Sequence, residues 1–462
     1  MSLSEYLNSH RQQFESDLFR LLEIPSVSTD PARKSEVVRC AHEVAAQLRQ
    51  AGLEDVAVME TGGHPLVFGQ WLHAPNAPTV LVYGHYDVQP EDPVELWTSP
   101  PFQPTVREGK VYARGATDDK GQFIAHVKAV EALMKTEGRL PVNVKFVIEG
   151  EEEIGSRNLA PFLESHRELL AADMLVVSDS AMFAPDEPSI VYGLRGLAYV
   201  QVELKGADSD LHSGVFGGAV PNPGFELCRI ISQLKDEQGR ITVPGFYEKV
   251  QDLTPQERQD YARLPFDAEA FRKELNVPGL SGEEGWTPLE QRSGRPTLEI
   301  NGMLCGWTGP GAKTVLPNKA MAKISCRLVP DQDPEDIARL LSEHIRRLCP
   351  PTVECHIESL HGGKPWLTPR QHPALDCANR AVQQVFGKPA LFVREGGSIP
   401  IVVDFQTILG LPGILVGFGL NSENLHAPDE HFDLGNYHKG IQLSVELMRQ
   451  MASYQSPVLL NQ

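Results

Sequence analysis

Apolar residues recur at helical spacing over residues 5–22 and again over 34–51, each stretch with a polar opposite face, and Pro25 closes the first of them. Shorter apolar runs follow at 79–84 (TVLVYG), 142–148 (VNVKFVI) and 173–177 (DMLVV), too brief for helices and bounded by turn residues. Between the first two runs, Phe123, Ile124, Val127, Val130, Leu133 and Met134 keep a helical period over 118–137, with Gly138 as the stop. Near-continuous apolar strands separated by helices predict a sheet covered on both faces, hence an α/β domain.

Around Gly193 the period changes. Residues 197–204 (LAYVQVEL) and 320–328 (AMAKISCRL) alternate apolar and polar positions, as antiparallel strands with one buried face do. The stretch 243–302 is rich in proline and charge, carries a capping box at Thr254-Pro255-Gln256-Glu257 and reads as an insertion within a smaller α+β domain. From about His372 the α/β pattern resumes, with a helix through 381–386 and a strand at 413–416. The pattern therefore predicts one domain made of residues 1–193 and 372–462, interrupted by a second at 194–371. Residues 398–420 are apolar enough to test as a membrane span. Pro400, Asp404, Gln406 and Pro412 make a helix followed by a short strand the expectation there.

Composition narrows the function. A length of 462 residues and 41% hydrophobic content suit a globular protein of two or three domains. A formal net charge of −19 argues against a nucleic-acid partner, because phosphate binding needs a basic face. The seven cysteines are scattered, with no Cys-x-x-Cys pair, as in a reducing compartment. The start of the chain lacks the basic and apolar regions of a secretory signal, so a soluble, cytoplasmic protein with no membrane partner is expected.

Four acidic or histidine-bearing motifs stand at element ends. Gly84-His85-Tyr86-Asp87 follows the first strand; a histidine there can bind a metal through one ring nitrogen while Asp87 steadies the ring. Asp118-Asp119 opens a helix, where acids serve as caps or, alternatively, as a carboxylate shared by two ions. Glu149-Gly150-Glu151-Glu152-Glu153 follows the second strand, and such crowded carboxylates are relieved by nearby cations. In that turn one glutamate can bind metal while its neighbour acts as general base. Asp179 follows the third strand and His426 the strand at 413–416. In an open α/β sheet functional residues gather beyond the carboxyl ends of the strands. Five imidazole and carboxylate groups converging there suit two zinc-like ions, each with a position left open for water.

The ordered motifs GHYDVQP, ARGATDDKG, EGEEEIGS, VSDS, DLHSGVFGG, GAKTVLP, ISCRLVP, REGGSIP and NLHAPDE resemble, nearly end to end, the aminoacylase, carboxypeptidase and carnosinase family of dinuclear metallopeptidases. Within it they look most like the carnosinase-like cytosolic dipeptidases. The resemblance implies a three-layer α/β catalytic domain of the dinuclear zinc exopeptidase type, with an inserted α+β lid that also carries a homodimer contact. It implies that His85, Asp118 and Asp179 hold one divalent ion and that Asp118, Glu153 and His426 hold the other, the Asp118–Asp119 peptide bond being cis. Zinc is the expected metal, with manganese or cobalt as alternatives. Glu152 maps to the general base, Asp87 to the partner of His85, and His212 to an oxyanion donor offered to the neighbouring subunit. Arg327, Thr314, Ser398, Gly396 and Gly397 map to a clamp for the substrate carboxylate. The implied activity is hydrolysis of dipeptides or similar small amino-acid amides. The alternatives are an N-acyl-amino-acid deacylase or desuccinylase with the same metals, and a non-catalytic small-molecule binder, which would be expected to have lost a ligand or Glu152.

Overall fold

The computed structural model describes residues 1–397 and 399–454. The chain forms two compact units. The first comprises Met1–Tyr192, Thr368–Phe392 and the chain from Ile401 onward; the second comprises Gly193–Leu367 and Val393–Pro400.

In the first unit four parallel strands make the middle of the main sheet, side by side in the order Asn143–Glu149, Thr79–His85, Met174–Val177, Gly413–Leu415. The strand that comes first in the chain is thus flanked by the second and third, so strand order reverses at Thr79–His85. Crevices at such reversals are where open α/β sheets place their ligands. Two strands the periodicity does not single out, Glu54–Met59 and Leu66–Trp71, extend the sheet antiparallel at one side. The helix Lys120–Glu137 packs on Thr79–His85 and on the C-terminal helix Leu434–Met451. Residues 120–133 of it are buried almost all round, and Gly138 ends it in the left-handed conformation that glycine adopts without a Cβ clash. The expected N-terminal helix is two, Leu3–Ser9 and Arg11–Leu22. The Ser9 hydroxyl donates to the carbonyls of Glu5 and Tyr6, and such local side-chain bonds compete with the helical ladder. Residues 400–415 form the expected helix, Pro400–Leu409, and strand, Gly413–Leu415. No helix among the described residues is long and apolar enough to cross a membrane.

The second unit is built on an antiparallel sheet in the order Thr297–Cys305, Lys319–Leu328, Gly196–Lys205, Glu354–Gly363. Gly196–Lys205 alternates strictly between buried and half-buried positions. Its inner side chains Val200, Val202 and Leu204 pack with Leu227 and Ile230 of the helix Pro223–Ile231 and with Leu341 and Ile345 of Pro334–Leu348. Thr297–Cys305 emerges from the end of the region read as an insertion, and only Leu298 in it is fully buried, so apolar continuity does not reveal it. Val393–Pro400 joins this unit although the sequence pattern assigns it to the first. Arg394 pairs with Glu257 and donates its N–H to Tyr261 Oη, and Arg195 N–H donates to the Glu395 carbonyl.

Candidate metal centre

Of the expected metal set, His85, Asp118, Glu153 and Asp179 stand in or beside an element, and His426 stands in a loop. His85 closes the central strand, fully buried, and its Nδ1 lies 3.1 Å from the Asp87 carbonyl oxygen and 3.4 Å from Asp87 Oδ1. A proton on Nδ1 directed at these oxygens leaves the Nε2 lone pair for a cation. Asp87 also receives the Glu152 N–H at Oδ1 (3.2 Å) and the Glu153 N–H at Oδ2 (3.1 Å), so one carboxylate steadies both the imidazole and the acidic turn. Gly84 permits the next contact: a Cβ there would stand 2.8 Å from Asp119 Oδ2, the oxygen that accepts the His85 N–H. The Asp118–Asp119 peptide bond is cis.

Asp118 is the hub. Its Oδ1 lies 3.1 Å from His85 Nε2 and its Oδ2 2.8 Å from His426 Nε2. Asp179 Oδ2 is 3.8 Å from His85 Nε2, and Glu153 Oε2 is 3.5 Å from His426 Nε2. Two groups of side chains result, each with ligand atoms within 4.8 Å of one another: His85, Asp118 and Asp179, and Asp118, Glu153 and His426. They share Asp118, one oxygen toward each histidine.

The electrostatics fit a cationic occupant. Burial, then repulsion from Asp118, pushes the Glu153 carboxyl up to about 8 and that of Asp179 up to about 6. Burial also raises Glu152 well above its ordinary value; Asp179, Glu153 and Asp87 add to the rise while His85 opposes it. Asp118 goes the other way: burial would raise it, but hydrogen bonds from His426 and His85 overcome that and hold it below the usual carboxylate range. Buried carboxylates forced up by mutual repulsion are what a divalent ion relieves, and a set of imidazole nitrogens and carboxylate oxygens suits zinc, manganese or cobalt. A pH prediction follows. A carboxyl whose folded pKa is raised binds more protons folded than unfolded, so its contribution to stability declines as pH rises through that interval. For Asp179 the interval runs from 3.8 to about 6, and for Glu153 from 4.5 to about 8. His85 and His426, both raised, act in the same sense, their stabilisation being lost as pH rises through the folded value. Chelator-treated protein should therefore melt at lower temperature at pH 8 than at pH 5.5. Added divalent ion, which displaces those protons, should raise the melting temperature more at pH 8 than at pH 5.5. Thermal melts at the two pH values, with and without metal, measure both.

The other expected site residues lie in the second unit. His212 is exposed at the end of the short strand Leu211–His212, and its Nδ1 accepts the Gly214 N–H at 3.0 Å. In the neutral ring that leaves the proton on Nε2, which can then donate. Thr314 lies beside it, its carbonyl accepting the Ser213 N–H. Arg327 is half-buried on the strand Lys319–Leu328. It shares its surroundings with Arg195 and Arg292; burial, then the charges of Arg327 and Arg292, lowers the Arg195 guanidinium to about 10. Gly396 is close to two of them: a Cβ there would fall 2.8 Å from Arg195 Nη2 and 2.7 Å from the Arg292 carbonyl. Gly397 is exposed beside it, and Ser398 lies outside the described residues. The sequence reading missed Arg195, whose signal was an arginine at the point where the strand pattern changes. It also passed over Glu430, a fully buried acid in the motif already quoted for His426.

A mixed sheet with a parallel middle, carrying two imidazole–carboxylate groups joined by one aspartate, is the framework of a metal-dependent hydrolase. The match to known proteins is more specific: the model of peptidase family M20/M25/M40 covers residues 81–450, and the chain belongs to that family. It is 34% identical to the Cys-Gly metallodipeptidase dug1 of Schizosaccharomyces pombe, over 98% of each chain. It is 32% identical to the human Beta-Ala-His dipeptidase, over 97% of this chain and 92% of that one. The solved structure of the M20 family metallo-carboxypeptidase Sso-CP2 from Sulfolobus solfataricus superposes with a TM-score of 0.81 at 32% identity, covering 96% of this chain and 99% of that one. The protein is a metallopeptidase that depends on divalent metal.

Proposed function

We propose that this metallopeptidase hydrolyses dipeptides with a free carboxylate, using two divalent ions, zinc first and manganese or cobalt as substitutes. The observation that carries the reading is Asp118, with its two oxygens 3.1 and 2.8 Å from the two imidazoles and Glu152 in the adjoining acidic turn. Bound at the two groups, the ions supply a water that ionises near neutral pH and an electrophile for the scissile carbonyl. Glu152 takes the proton of the attacking water and passes it to the leaving amine. Its burial among other acids, which raises its carboxyl, suits a group that must carry a proton. Asp87 holds His85 and the turn bearing Glu152 in register. His212, with its proton on Nε2, donates to the oxyanion that develops on the carbonyl. Arg327, with Thr314, Ser398, Gly396 and Gly397, receives the substrate carboxylate, to which a guanidinium can give two parallel hydrogen bonds.

Curated relatives that are dipeptidases support a dipeptide over an N-acyl amino acid. The test is a panel of dipeptides set beside N-acetyl and N-succinyl amino acids, assayed with metal-analysed enzyme. Hydrolysis of dipeptides with two ions per chain is expected; turnover confined to the acylated amino acids would establish the deacylase instead. Arg327→Met refines the test. Charge-assisted hydrogen bonds contribute roughly 1.5–3 kcal/mol, about 10- to 150-fold. kcat/KM on a dipeptide should fall by that factor and on the corresponding dipeptide amide by far less. Equal losses on both would place Arg327 elsewhere.

The active enzyme is a homodimer joined through the second unit. What supports this is Thr297–Cys305, an edge strand with Met303 and Leu304 about half exposed, followed by Trp307 at 50%. Apolar side chains on an open sheet edge favour pairing with another chain. The seven unpaired cysteines support a reducing, cytoplasmic setting.

A further inference from the structure

Four of the five residues in the two groups that share Asp118 lie in, or within two residues of, regular structure. His85 ends a strand paired on both sides, Asp179 follows a strand by two residues, Asp118 immediately precedes a helix and its flanking residue, and Glu153 lies in a helical turn whose N–H groups rest on Asp87. His426 is different. It stands in an irregular loop, left-handed at φ 57°, with its side chain 54% exposed. The loop closes on itself where the His431 N–H meets the Glu423 carbonyl and the Ala427 N–H meets that of Asn424.

Glu430, four residues on, reaches from this loop to the one that presents Asp118. Its Oε1 accepts the N–H groups of Thr117 (3.1 Å) and Asp118 (3.2 Å). Its Oε2 accepts the Gly115 N–H (3.0 Å) and Arg114 Nη1 (2.7 Å). Four donors converge on one buried carboxylate, and none of them belongs to a helix or strand. Resting on the two-ion reading above, we infer that Glu430 is the positioning residue for the second ion. It fixes the distance between Asp118 and His426, so its loss weakens the ion held by Asp118, Glu153 and His426 while the ion at His85, Asp118 and Asp179 stays tight. Glutamine cannot replace it, because an amide NH2 would face the Gly115 N–H and the Arg114 guanidinium, donor against donor. Aspartate keeps the charge but is one carbon–carbon bond, about 1.5 Å, too short to reach all four donors.

The experiment strips the parent, Glu430→Gln and Glu430→Asp proteins of metal and titrates each with Mn2+. Bound ion is counted by equilibrium dialysis, and the exchange-coupled manganese pair is followed by electron paramagnetic resonance. The parent should take up two ions and show the coupled signal. Both variants should bind the first ion as the parent does and the second about 10- to 100-fold more weakly, the usual cost of losing a group that orients a ligand. The coupled signal and kcat should return at correspondingly higher Mn2+. If Glu430→Gln does not fold, as judged by far-UV circular dichroism, Glu430→Asp carries the test. A Glu430→Asp titration that overlays the parent's, or equal weakening of both ions, overturns the inference and leaves the two-ion reading standing. A parent that holds fewer than two ions overturns both.

Discussion

Glu152→Gln should lower kcat on a dipeptide by about 100- to 10,000-fold, the range typical for loss of a general acid–base group, while metal content stays that of the parent. The two halves of this result rest on different features. Glu152 and Glu153 are adjacent in one helical turn, and Asp87 accepts a hydrogen bond from the backbone N–H of each. Their side chains diverge in company: Glu153 Oε2 is 3.5 Å from His426 Nε2 and receives Gln89 Nε2 at 2.8 Å. Glu152 belongs to neither three-residue group. An amide at 152 keeps the shape of the turn but cannot accept a proton from water at any useful pH. Glu153→Ala is the counterpart and should lose metal and thermal stability together, since a ligand's contribution to binding also stabilises the fold. Metal analysis and steady-state kinetics on the two variants decide the assignment. Near-normal turnover by Glu152→Gln would remove it as the base, and two ions per chain in Glu153→Ala would mean that the two glutamates have exchanged roles.

His212→Ala is expected to retain metal and lose about 100- to 1000-fold in kcat, the measured range for an oxyanion donor. If His212 serves the partner's site, mixing restores what each variant lacks. A heterodimer of a His212→Ala chain with a Glu152→Gln chain has one site missing both groups and one site with both intact. Random pairing and independent sites then give as much as about one quarter of parental activity from two inactive proteins. The exposure of His212 and the donor state imposed by the Gly214 N–H on Nδ1 are what make the ring available for such a role. Verified heterodimers with no recovered activity would rule out the shared site.

How much of this could be read before folding depends on the range of the interaction concerned. The parallel core strands were legible because burial on both faces imposes near-continuous apolar runs, and Gly196–Lys205 because burial on one face imposes alternation. The convergence of His85, Glu153 and Asp179 was legible for a related reason: parallel strands deliver their C-terminal residues to one edge, so these three had to be neighbours if the strands were. Edge strands such as Thr297–Cys305 left no comparable mark, because their side chains meet solvent as much as core.

Tertiary structure alone decided the rest. Nothing in the local sequence says that Asp118 turns one oxygen to His85 and the other to His426, since those partners lie 33 and 308 residues away. The same holds for Glu430, which the sequence presents as one more acid in an acidic protein. Its four donors come from residues 114–118, more than 300 positions earlier, and a hydrogen-bonded carboxylate leaves no periodicity for a reader to find. Periodic burial is written locally along the chain, whereas the convergence of single polar atoms exists only once distant loops have been brought together.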